Sequence, residues 1–168
     1  DKSYRSRPAL LWNALRSATL RIITLGITGF DSPVAQLSIP EAKASFEGIK
    51  ELLPYLKNDN GNSIDTKQVM IQINNALQYL SQHAVFNSFN RLYFIKQYAD
   101  PIYKELNQIR VVNHIEAPDG ANPINFSSTS IFNEDAFNIN FFGPSDKEYW
   151  VTPENTTLGK KLFYDNII

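Results

Sequence analysis

The sequence predicts a mainly α-helical protein: an up-down antiparallel bundle of about four helices followed by a long, irregular, aromatic-rich C-terminal segment. Four stretches within positions 1–110 repeat apolar residues at steps of three and four, which places them on one helical face. Short turns between these stretches favour antiparallel neighbours. We expect three regions: a helical bundle over 1–110, a Phe-rich irregular segment over 111–150, and a lead-in to a further domain over 151–168.

The first helix is predicted from about Pro8 to Gly26. Pro8 suits the first helical turn, where its missing N–H costs nothing, and glycines close the segment. Arg16 falls away from the apolar stripe. That stripe consists of Leu11, Leu15, Ala18, Ile22 and Leu25.

The second helix is predicted from Pro40 to about Lys57. Ser38 and Glu41 have the spacing of a capping box. Pro54 removes a backbone hydrogen bond, so we expect a kink or an early end near Leu53. The apolar stripe consists of Ala42, Phe46, Ile49, Leu53 and Leu56.

The third and fourth helices follow. The third begins near positions 63–65 and ends at about Gln82, and the fourth runs from position 87 or 88 to about Arg110. Pro101 lies inside the fourth, so a bend is predicted over 97–101. The side chains that we expect to be buried across the bundle include Phe46, Ile49, Leu53, Val69, Ile73, Leu92 and Ala99.

The Phe-rich segment has the composition of a loop but too many aromatic residues for a disordered linker. We expect it to be ordered, with its phenylalanines packed on the bundle and a short helix near 133–138. Burying one such side chain contributes roughly 1.5–3 kcal/mol.

The bulk composition excludes several function classes. There are 16 basic and 17 acidic residues, which gives no support to a nucleic-acid surface. The sequence has no cysteine, so disulfides, thiolate metal sites and thiol catalysis are excluded. No apolar stretch reaches the length of a membrane span. We expect no catalytic, cofactor-binding or metal-ligating residue in this chain.

Individual side chains favour structural roles over chemical ones. His83 is placed at a helix end, where the helix dipole favours it, and His114 has no partner at ligand spacing. Glu134 and Asp135 fit a helix start better than acid–base chemistry. Trp150 fits an anchor at a domain junction. An aromatic cluster fits core packing, with partner docking or electron relay as alternatives; its members are Phe86, Phe89, Tyr93, Phe94, Tyr98 and Tyr103.

Three stretches of the second half carry a family resemblance. Positions 89–103 read FNRLYFIKQYADPIY, positions 123–138 contain PINF and SIFNEDAFN, and positions 152–165 read TPENTTLGKKLFYD. Together they resemble the region that precedes the haem-binding motifs in Bacteroidetes-type di-haem cytochrome c peroxidases, the MauG-like group. Five lead-in residues match the family pattern, in which they are structural: Leu158, Gly159, Leu162, Phe163 and Asp165.

The resemblance implies a parent enzyme that reduces hydrogen peroxide, an oxidoreductase with two c-type haems that takes electrons from a small cytochrome. The haem-attaching cysteines and axial ligands would lie outside this chain, which would be a non-catalytic accessory domain of an exported, periplasmic or cell-envelope protein. Its partners would be its own C-terminal haem domain and an electron-donor cytochrome. The alternative is a stand-alone helical binding module for iron or haem handling of the imelysin type, although the G-x-H-x-x-E signature of that group is absent from the sequence.

Overall fold

The computed structural model describes residues 7–58, 60–117, 122–143, 146 and 149–165. The chain is mainly helical, as predicted. Across those ranges there is no strand, and the extended pairings are two isolated bridges, Lys57 with Ser63 and Ile124 with Phe137. The α-helices are α1 (Arg7–Arg21), α2 (Ser38–Leu52), α3 (Lys67–Gln82), α4 (Arg91–Phe94), α5 (Asp100–Val112) and α6 (Pro153–Phe163).

The first predicted helix is present as two joined pieces. α1 passes into a wider π-helical turn over Ile22–Gly26. There the Ile27 N–H donates to the carbonyl of Ile22, five residues back. Gly29 then turns the chain with a φ of +83°, and a Cβ at this position would lie 2.6 Å from the Phe86 ring. Only glycine fits this turn without displacing that ring.

The second helix ends early, as Pro54 predicts. α2 stops at Leu52 and one 3₁₀ turn, Leu53–Tyr55, follows it. The predicted capping box is wrong. Ser38 is already helical and its buried Oγ has no hydrogen-bond partner among the described residues, while the Glu41 carboxylate accepts from the Ser32 hydroxyl.

A π-helical turn lies where the bend before Pro101 is predicted. α4 leads into Ile95–Ala99, and the Asp100 N–H donates to the Ile95 carbonyl five residues back. A proline ring clashes with the carbonyl four residues before it, and a widened turn relieves such a clash. Both later helices begin after the predicted positions, α3 at Lys67 and α4 at Arg91.

The core lies between α1, α2, α3 and α5. Of the side chains predicted to be buried, six are: Phe46, Ile49, Leu53, Val69, Ile73 and Ala99. The prediction for Leu92 is wrong, because its side chain is 57% exposed. Arg16 is the opposite case, with no exposed surface. α1 is covered by α2 and by α5, so the face that carries Arg16 is buried as well.

The irregular segment contradicts two expectations. Residues 133–138 form turns rather than a short helix. Of the five phenylalanines between Asn125 and Gly143, four are exposed, with Phe142 the most exposed at 85%. Phe126 and Ile131 do pack against the core, and Ser128, Ser130 and Ala136 are buried. A few small and polar side chains therefore hold the segment against the helical core, and most of its aromatic rings do not.

Candidate functional site

The segment is fastened first at Asp100, the opening residue of α5. Its carboxylate is 2% exposed and accepts from the Ser130 hydroxyl at 2.8 and 3.0 Å and from the Ile131 N–H at 3.2 Å. The Lys104 ammonium, one helical turn on, pairs with it at 2.8 Å. Hydrogen bonds to a charged group are stronger than neutral ones. This carboxylate therefore fixes the segment on the helix.

The second fastening point is Arg16. Its guanidinium donates to the Asn107 side-chain oxygen at 2.6 Å and to the Ser128 backbone carbonyl. The same group lies 3.9 Å from the Tyr103 ring centroid and 5.4 Å from that of Trp12. Cation–π contacts of this kind strengthen where water is excluded. Burial lowers the pKa of Arg16 from its ordinary value, but an arginine stays charged at any physiological pH.

The third fastening point is inside the segment. The Asp135 carboxylate accepts from the Ser128 hydroxyl at 2.9 Å and from the Asn125 amide at 3.3 Å. The predicted helix-start role of Glu134 and Asp135 is therefore wrong. Glu134 is exposed, and Asp135 holds a turn together.

Two of the three stretches that carry the family resemblance, 89–103 and 123–138, contact each other. The Asn125 N–H donates to the Ala136 carbonyl and the Asn138 N–H to the Pro123 carbonyl, so the PIN and DAFN pieces are paired. Asp100 joins the first stretch to the SIF piece through Ser130. These contacts hold the polypeptide in place.

Exposed apolar side chains are concentrated in the C-terminal part of the chain. Among the described residues, 24 large apolar or aromatic side chains are exposed, and half of them lie in the last third. We call these twelve the C-terminal apolar face: Phe132, Phe137, Ile139, Phe141, Phe142, Tyr149, Trp150, Val151, Leu158, Leu162, Phe163 and Tyr164. Apolar exposure concentrated in this way is typical of an interaction surface.

α6 is a capped helix with no buried side chain. The Thr152 hydroxyl accepts from the Asn155 N–H at 3.1 Å, and Pro153 occupies the first turn. Leu158 and Leu162, one turn apart on the same side, are both exposed. The helix therefore has a well-formed N-terminus but buries none of its side chains in the described chain.

The remaining candidate residues, His83, His114 and Trp150, have surroundings that fit structural roles. His83 follows the last residue of α3 and its Nδ1 lies 2.9 Å from the Tyr79 carbonyl oxygen. His114 is exposed with a φ of +53°. Trp150 is partly exposed, and its carbonyl accepts from the Asn155 amide. In the described part of the chain, no three His, Cys, Asp or Glu side chains are grouped to hold a metal ion.

Some side chains of the aromatic cluster are buried and others are exposed to solvent. Phe89, Phe94 and Tyr103 are in the core, whereas Tyr93 is exposed and Tyr98 is half-buried. Sequence reasoning missed its central ring, Tyr79 of α3, which contacts four rings of the cluster and the His83 imidazole. It also missed Trp12, which is fully buried and donates its indole N–H to the Leu106 carbonyl at 2.6 Å.

The chain matches no family model, no curated protein and no solved structure. None of the helices in the described ranges combines the length and the apolar composition that crossing a bilayer requires.

Proposed function

We propose that this chain is a non-catalytic N-terminal accessory domain of a di-haem cytochrome c peroxidase, an exported enzyme of the periplasm or cell envelope. Its helices would form an up-down antiparallel bundle. The haem domain of the same polypeptide would bind the C-terminal apolar face. The parent would reduce hydrogen peroxide with two c-type haems and electrons from a small cytochrome.

The observation that carries the proposal is the position of the C-terminal apolar face. It occupies the part of the chain where the resemblance to the peroxidase lead-in lies, and α6 exposes Leu158 and Leu162 from that lead-in. Burial of such side chains contributes roughly 1.5–3 kcal/mol each. A haem domain packed here would cover a surface that otherwise remains in water.

The buried polar contacts are a second observation that supports the same function. Asp100 and Arg16 hold residues 128–131 on the bundle. A face that must receive a domain needs a rigid support, and charge-assisted bonds in a buried setting provide one. The accessory domain would thus provide a rigid binding surface that positions the haem domain.

The first test is the reading frame of the parent gene. The proposal requires two Cys-x-x-Cys-His motifs downstream of Ile168, one for each haem. A stop codon directly after Ile168 would overturn it and favour the stand-alone module for iron or haem handling. Haemin and iron titrations of the 168-residue chain, followed by absorbance, then measure that activity directly.

The second test uses the haem-loaded parent protein. Leu158→Asp with Leu162→Asp places two charges in the proposed interface, and Lys160→Glu changes charge on the opposite side of α6 as the matched control. We expect the double variant to free the haem domain, which limited proteolysis and small-angle scattering both detect. A compact particle in the double variant, equal to that of the control, would contradict the proposed binding surface.

A further inference from the structure

An open cavity of about 290 Å³ lies where α3 meets the π-helical turn before Pro101. Its volume is just below the usual range for ligand sites, roughly 300–1,000 Å³. It is distinct from the C-terminal apolar face. The residues that line it are Asn75, Gln78, Tyr79, Gln82 and Tyr98.

One wall of the cavity is aromatic. The Tyr79 ring lies 4.9 Å from the Tyr98 ring and 5.6 Å from the Tyr93 ring, measured between centroids, and it stacks on His83 at 4.0 Å. Phe94 lies beneath, stacked on both Tyr79 and Tyr98. The π-helical turn carries Tyr98 to this position, and such turns are frequent at functional sites.

The other wall consists of free amides. Asn75, Gln78 and Gln82 are exposed on one side of α3, and within the described chain their side chains make no hydrogen bond. A primary amide offers two donors and a carbonyl acceptor. Three of them beside two phenols form a dense set of neutral hydrogen-bonding groups.

Charge is directed away from the cavity. Among the described residues, none of the lining side chains is charged. Arg91 of the same aromatic stretch donates to the carbonyls of Ile27 and Phe86, and the Lys96 ammonium lies over the Phe132 ring. Partial burial raises the pKa of Tyr79 and of Tyr98, so both phenols stay neutral donors at physiological pH.

We propose that this cavity, the tyrosine–amide cavity, binds a neutral saccharide. A pyranose ring has a face of C–H groups that packs on the electron-rich face of an aromatic ring. Its rim of hydroxyls donates and accepts, which the amides and phenols match. A charged ligand would find no counter-ion here, and a purely apolar one would leave the three amides without partners.

The test is a titration of the 168-residue chain with four defined probes: maltotetraose, cellotetraose, chitotetraose and tetragalacturonic acid. Calorimetry and tyrosine NMR resonances report binding. We expect at least one neutral tetrasaccharide to bind saturably with a 1:1 ratio. The acidic probe should bind at least roughly tenfold more weakly, a difference of about 1.4 kcal/mol.

Variants locate the site. Asn75→Ala combined with Gln78→Ala and Gln82→Ala changes only exposed side chains, so the fold is preserved, and it should lower affinity roughly tenfold or more. Tyr98→Ala should act in the same direction. The matched control is Asn74→Ala, an exposed amide of α3 outside the cavity, which should bind like the parent chain.

Three outcomes would overturn the proposal. The first is no saturable binding of any neutral probe, and the second is undiminished binding by the triple amide variant. The third is equal affinity for the acidic probe. All three are independent of whether a haem domain covers the C-terminal apolar face.

Discussion

The helical core and the segment over 122–143 are held in different ways. The core is fixed by interlocking apolar side chains such as Phe46, Ile73 and Phe94, all without exposed surface. The segment is fixed by three polar groups, of which Arg16 and Asp100 are buried and Asp135 is exposed, and it leaves most of its aromatic rings in water. This difference shows that the aromatic content of a loop does not predict which of its side chains hold it against the core.

The largest expected effect is in the core. Phe46→Ala removes a ring that packs edge-on against Phe94 at 6.2 Å, and it should lower the free energy of unfolding by about 3–5 kcal/mol. Urea unfolding followed by circular dichroism measures this. Leu92→Ala, at an exposed position, is the control and should change stability by no more than about 0.5 kcal/mol. Equal losses in the two variants would contradict the assigned core.

The next effect links the two regions. Arg16→Met keeps the length of the side chain but leaves the buried Ser128 carbonyl without its donor, and it should cost about 1–3 kcal/mol. Arg16→Lys should not restore the loss, because an ammonium cannot reproduce the planar fork. Hydrogen exchange should report faster opening around Ser128 in both variants. Full rescue by lysine would mean that charge alone matters at this position.

A smaller effect is confined to the segment. Ser130→Ala removes a hydroxyl from Asp100 but leaves the Lys104 pair and the Ile131 N–H in place, so we expect a loss of about 1 kcal/mol. Ser127→Ala, at an exposed neighbour, should be neutral. The readout is the exchange rate of the Ile131 amide. If both serine variants exchange alike, Asp100 does not fasten the segment through this bond.

The smallest effect is at the start of α6. Hydrogen bonding to its own backbone N–H and to the Thr152 side chain lowers the pKa of Glu154 below its ordinary value of 4.5. The carboxylate therefore stabilises the helix start at pH values above about 4.5, and this contribution is lost as the pH falls through the lowered pKa. NMR shifts of Asn155 and Thr156 should follow that titration. Glu154→Gln should abolish the pH response, and a persistent response would assign it to another group.

Apolar periodicity was sufficient to predict four helical stretches and most of the core. Phe46 and Ile73, for example, each belong to an apolar stripe with helical spacing in their own helix. It failed at Leu92, which lies on the stripe but has no neighbour to cover it. It also failed at Arg16, because helical spacing describes one face of α1 and both faces are covered.

The polar contacts that hold the segment could not be predicted from the sequence, for a different reason. Asp100 and Ser130 are 30 positions apart, and nothing in the local composition around either residue indicates the pairing. The same holds for the tyrosine–amide cavity. Tyr79 and Tyr98 come from different helical elements, and their contact depends on the π-helical turn. Helical spacing predicts which residues share a face, but it cannot predict which faces meet.

The burial of Arg16 also has a consequence for synthesis on the ribosome. The arginine emerges 112 positions before Ser128, its most distant partner. At about 5–20 residues per second, this delay is roughly 6–22 seconds. During that interval the guanidinium must remain hydrated, and the Trp12 indole N–H likewise lacks the Leu106 carbonyl. Of the described helices, α1 leaves the ribosome first and is nevertheless among the last to reach its final packing, and chaperones have access to it throughout this interval.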